Sequence, residues 1–189
     1  PIADHKKKTL LTDPGSFIKR YREEDHTYIG LAFNEDEIKQ RFELIASHKP
    51  YYITNKIIFL GEIPRKNDFE AQKTSFVDEH GNRDYVQDDS AMALIQDNEL
   101  VVVSGCAHSG ICNILKYAKE ISGISNVRWV MGGFHLKNND RQTQKTISYL
   151  KEQGTKQVFP SHCTELPALC AFYNHFHVQR LKTGMVFEI

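Results

Sequence analysis

The chain has 189 residues, 24 Lys plus Arg against 24 Asp plus Glu, and 40% hydrophobic side chains. That length can bury one sizeable core without dividing into two full domains, and the balanced charge offers no basic footprint for nucleic acid or an anionic membrane surface. No apolar stretch approaches the roughly 20 residues of a spanning helix, and the amino terminus has no hydrophobic signal core, so a cytoplasmic protein is expected.

The first third reads as helical. Asp13-Pro14-Gly15 offers a cap with proline at the first helical position, and Phe17, Ile18 and Tyr21 mark an apolar face through Glu24. A second helix is expected from Asn34, with Glu37 as its capping-box partner and Ile38, Phe42 and Ile45 at helical spacing; Pro50 stops it. Two strands, Tyr51 to Thr54 and Lys56 to Leu60, follow around Asn55. From Gly61 to Asp89 the pattern dissolves into a long polar loop, a kind of segment that compact domains keep mainly for function. A hairpin then runs from Ala91 to Ile95 and Leu100 to Ser104 about Asp97-Asn98. After it come a helix from Ser109 to Ile121, a strand at Val127 to Met131, a helix from Arg141 to Glu152, a strand at Gln157 to Phe159 and a helix from Leu166 to Asn174. Val178 to Leu181 and Met185 to Ile189 read as a closing strand pair. Hairpins followed by alternating strands and helices predict a mixed α/β layer protein, one domain over residues 1–189.

Three of the apolar strands end in a histidine. LVVVSGCAHSG (100–110) presents Cys106 and His108 before a helix, VRWVMGGFH (127–135) ends in His135, and VFPSHC (158–163) ends in His162. Strand tips suit a metal or phosphate site, because ladder hydrogen bonds fix the backbone behind them while the loop beyond aims the side chain. Two imidazoles at one sheet edge could serve zinc or iron. The Ser109 and Gly110 amides open a helix, where anions bind favourably. Asp88 and Asp89 could bind or bridge metal, although adjacent acids before a strand commonly end a solvated loop, and Arg65 is an anion-binding candidate. The other histidines read as surface residues, with His175 and His177 imitating a metal pair. Cys106, Cys112, Cys163 and Cys170 form no CxxC knuckle and read as ordinary thiols, Cys106 excepted because it shares a turn with His108. No GxSxG elbow or P-loop occurs.

The blocks GEIPRKNDFE (61–70), DDSAMAL (88–94), LVVVSGCAHSGICNI (100–114), MGGFHL (131–136) and FPSHCTE (159–165) together resemble the metallo-β-lactamase-fold proteins known as 7,8-dihydropterin-6-methyl-4-(β-D-ribofuranosyl)-aminobenzene-5′-phosphate synthases. The resemblance covers essentially the whole chain. It implies an αββα sandwich with a dinuclear metal site at the edge of the paired sheets, held by an HxHxDH motif, a later histidine, a bridging aspartate and a final histidine. His162 resembles the final histidine. Cys106 falls where the bridging aspartate usually sits, with His108 two residues on, and Asp88 or Asp89 lies near the place of the intermediate histidine. His135 is either a further metal ligand or, with Arg65, a substrate-side group. No HxHxDH occurs, so the chain is expected to form the carboxyl-terminal part of the sandwich, either as a fragment, a split product or a shortened member. The resemblance implies a divalent metal, zinc or else iron or manganese, incompletely bound. It also implies a metal-dependent hydrolase or transferase acting on a phosphorylated or diphosphate small molecule related to dihydropterin. The alternative is a non-catalytic or half-site module that needs a partner chain, either a second copy or the missing amino-terminal half.

Overall fold

The computed structural model describes residues 7–176 and 178–189. His5, Lys6 and His177 lie outside them, and with His177 the HxH pair. In chain order the elements are β1 (Lys8–Thr12), a 3-10 turn (Pro14–Phe17), β2 (Arg20–Arg22), α1 (Glu35–Arg41), β3 (Phe42–Ala46), β4 (Tyr51–Thr54), β5 (Ile57–Phe59), β6 (Phe76–Asp78), β7 (Ala91–Gln96), β8 (Glu99–Ser104), α2 (Ile111–Ser122), β9 (Val127–Gly132), α3 (Arg141–Glu152), β10 (Gln157–Pro160) and α4 (Leu166–Tyr173).

Six strands form one sheet in the order β10-β9-β8-β7-β5-β4. β8, β9 and β10 run parallel, while β7, β5 and β4 are joined antiparallel. Parallel neighbours need a crossover, and α2 and α3 supply them. The β7–β8 hairpin turns through Asp97 and Asn98, both at positive φ, the backbone that lets a two-residue turn follow the strand twist. Alternate residues of the strands face opposite ways. Leu100, Val102, Val130 and Val158 join Ile111, Leu115, Leu150 and Phe172 of the helices in the main core. Val101, Met131 and Phe159 face the other side, under Leu181 and Phe187 of the carboxyl-terminal segment. Burying each large apolar side chain contributes about 1.5–3 kcal/mol, so the helix-covered face dominates. β1 and β3 pair in parallel, and β2 and β6 antiparallel, as two small ribbons. Among the described residues no helix is long and apolar enough to cross a membrane.

The alternating half, from β7 to α4, follows the sequence expectation closely. The first third does not. Asp13 caps as expected, accepting from the Gly15 N–H at 2.7 Å, yet only one 3-10 turn follows. Arg20 is instead drawn into β2, where its guanidinium bonds Asp84 at 2.7 Å and Asp88 at 2.6 Å. The Asn34–Glu37 capping box also forms, but α1 ends at Arg41 because it buries no residue and has no core for its apolar stripe to face. Phe42–Ala46 pairs with β1 instead. The expected closing strand pair is absent among the described residues. Val178 makes one bridge to Val158, and the rest of the segment is irregular.

Candidate functional site

The carboxyl ends of β8, β9 and β10 lie side by side, and each runs into a short turn carrying polar side chains. The turns are tied together: the Gly133 N–H donates to the Gly105 carbonyl at 2.8 Å. Cβ on Gly133 would lie 2.3 Å from the Cys163 sulfur, so glycine here makes room for that thiol. Cys106 Sγ lies 3.0 Å from His162 Nε2, and Cys163 Sγ approaches the Cys106 carbonyl at 3.6 Å. The Cys106, His162 and Cys163 ligand atoms all lie within 4.8 Å of one another. Two sulfurs and an imidazole at that spacing fit as three ligands of one transition-metal ion. Supporting bonds orient them. Ser161 Oγ sits 3.2 Å from His162 Nδ1, and the His135 N–H donates to Cys163 Sγ at 3.3 Å. The Cys163 thiol, then the His108 and His162 imidazoles, hold the Cys106 thiol far below its ordinary value. Cys163 is pushed up by the same neighbour and by burial, so the thiolate of the pair rests on Cys106.

Beside the cluster opens a pocket of about 680 Å³, with Ala107, His108 and His135 in its wall and Lys73 and Lys137 at exposed positions around it. The His108 and His135 rings stand 4.3 Å apart, and Phe76 meets His108 edge-on at 5.5 Å. His135 is half-buried; burial first, and His108 next, push its imidazole down to about 4, so the ring is neutral near pH 7. Its Nδ1 is buried without a hydrogen-bond partner among the described residues. Ala71, Val86, Ala107 and His135 all have positive φ, from 47° to 57°, and all four line the pocket. Such backbone costs of order 1–3 kcal/mol per residue and gathers where a binding surface needs a particular shape.

No protein-family model matches the chain. It is 34% identical over 169 residues to the 7,8-dihydropterin-6-methyl-4-(β-D-ribofuranosyl)-aminobenzene-5′-phosphate synthase of Methanocaldococcus jannaschii, covering 85% of this chain and 58% of that protein. It is 32% identical over 166 residues to an uncharacterised protein of the same organism, covering 85% and 60%. The chain thus spans less than two thirds of the length of these relatives. Its structure superimposes on the crystal structure of a metal-dependent hydrolase of the β-lactamase superfamily with a TM-score of 0.84 at 24% identity, over 97% of this chain and 72% of that one. The chain has a metallo-β-lactamase fold.

In this metallo-β-lactamase fold the residues singled out from sequence fall into two groups. Cys106, His108, His135 and His162 meet at the strand tips, with His162 and Cys106 in the ligand cluster and His108 and His135 in the pocket wall. Asp88, Asp89 and Arg65 serve the wall behind. Asp88 takes the Arg20 ion pair. Asp89 is buried and accepts from Ser109 N at 2.8 Å and Ser109 Oγ at 2.5 Å; burial outweighs those bonds and raises its carboxyl above the ordinary value. Arg65 donates to the Tyr85 and Val86 carbonyls at 2.9 and 2.8 Å and to Gln87, and so braces the pocket wall. The start of α2 likewise differs from the anion site expected there. The Ser109 N–H goes to Asp89, the Gly110 N–H to the Ala107 carbonyl at 2.9 Å, and the Cys112 and Asn113 N–H groups to the buried Glu70 carboxylate at 2.9 and 3.0 Å, so groups of the chain itself occupy these amides. Glu70 and Cys163 were not legible as site residues. Glu70 lies in the polar loop, 42 positions from its amide partner, and carries no local signal. Cys163 adjoins His162, a signal that the missing knuckle spacing obscured.

Proposed function

We propose that this chain carries the metal site of a metal-dependent hydrolase or transferase acting on a phosphorylated or diphosphate small molecule. The observation that carries the reading is the Cys106–His162–Cys163 cluster opening beside a pocket walled by His108 and His135. Zinc suits the two sulfurs and the imidazole best, with iron next. When bound, such an ion supplies a Lewis acid and lowers the pKa of a coordinated water. The chain's own groups do the rest. Ser161 and the His135 amide fix the ligand geometry. Lys73 and Lys137 offer positive charge to phosphate oxygens at the pocket mouth. The Phe76 and His108 rings give a flat substrate ring an aromatic wall, and neutral His135 presents a ring nitrogen for one hydrogen bond. The dihydropterin synthase relative supports a pterin-like phosphate as the substrate class.

Metal-loaded protein assayed on p-nitrophenyl phosphate and on a hydroxymethyl-dihydropterin diphosphate should release product, and His162→Ala should lower the rate at least about 100-fold. Equal rates for the two proteins would sink the reading. A second reading, a half-site module completed by a partner chain, is favoured by the single three-ligand cluster found among the described residues, where the dinuclear site that the resemblance implies needs ligands for two ions. Full metal loading with no turnover by the wild-type chain would support it.

A further inference from the structure

Two of the four cysteines face one another at the site. Cys106 and Cys163 are both half-exposed, whereas Cys112 is buried in the first turn of α2 and Cys170 lies exposed on α4. The two sulfurs lie within 4.8 Å, and the absence of a side chain on Gly133 leaves the Cys163 sulfur its room. The turns that carry them are tied through Gly133 to Gly105 and through the His135 amide to Cys163. A disulfide needs the sulfurs at about 2.05 Å. The side chains must therefore rotate to bring the sulfurs together.

We infer that Cys106 and Cys163 form a reversible disulfide when the chain meets a peroxide. The Cys106 sulfur attacks a peroxide oxygen; the S–O bond forms, the O–O bond breaks, and one water leaves. The Cys163 sulfur then attacks the resulting sulfenic sulfur; the S–S bond forms, the S–O bond breaks, and the second water leaves. The two sulfurs give up two electrons to the peroxide, and both thiol protons end in water. The bond would take two of the three gathered ligands and leave His162 alone, so the oxidised chain releases its metal. That consequence, unlike the bond itself, rests on the metal-dependent reading of the site.

The test is peptide mapping of reduced, chelator-stripped full chain after treatment with hydrogen peroxide and alkylation. Two of the four thiols should be lost to one cross-linked Cys106–Cys163 peptide, Cys112 and Cys170 should stay alkylated, and dithiothreitol should restore all four. In Cys163→Ser the reaction should stop at a Cys106 sulfenic acid that dimedone traps. Sulfinic acid at Cys106 in the wild type, or disulfides running only between chains through Cys170, would overturn the inference. Metal content of the reduced protein separates the two claims. A cross-link in a protein that binds no metal removes the release step and keeps the redox pair, while metal binding without a cross-link removes the redox pair and keeps the metal site.

Discussion

Gly110 opens α2 at φ +95°, and a Cβ there would come within 2.4 Å of the Glu70 side chain. Both the backbone and the space require glycine, because Glu70 must lie close to reach the Cys112 and Asn113 amides. Gly110→Ala should therefore lower stability by about 2–3 kcal/mol, read as a drop in the urea midpoint; an unchanged midpoint would remove the close-approach argument. The same residue-level logic explains which site groups were legible. His108, His135 and His162 each follow an apolar run with β-branched residues, and a strand tip is readable from such a run. Cys163 follows the same run but was masked by spacing, and the role of Arg65 depends on carbonyls 20 and 21 positions away. No local pattern encodes contacts of that range.

At the scale of elements, α2 is held at its amino end by two buried carboxylates, Glu70 and Asp89, from the long loop before β7. Burial raises both above their ordinary values. A carboxyl whose native value is raised keeps its proton in the folded state over a range where the unfolded chain has lost it. Stability then falls as pH rises from the ordinary value, 4.5 for Glu70, through the raised native one. Glu70→Gln keeps the shape and removes that titration. The variant should show a shallower fall in urea stability over this window than the wild type, and an identical pH slope would contradict the assignment. The elements themselves were legible in proportion to how far their faces meet the core. α2 and α3 have clear apolar stripes and bury them. α1 has a capping box but no buried residue, and the chain beyond it pairs as β3 instead. A local cap starts a helix, but only packing extends it.

For the whole molecule, the parallel strands β8, β9 and β10 were readable because each alternates with a helix, and that order places their carboxyl ends together, where open α/β sheets bind ligands. The ribbons β1–β3 and β2–β6 were not, since they pair segments 34 and 56 positions apart through very short strands. The resemblance drawn from five sequence blocks pointed to the metallo-β-lactamase fold, and the superposition on a metal-dependent β-lactamase-superfamily hydrolase bears out that fold. The fold brings two thiols and an imidazole together where the strands end, and the account stands on those three side chains holding a metal. The most direct test is metal analysis by plasma mass spectrometry on reduced protein after exhaustive dialysis. The wild type should keep about one zinc per chain, and His162→Ala and Cys106→Ser should each lose most of it. A wild type that dialyses free of metal, or variants that keep as much as it does, would contradict the account.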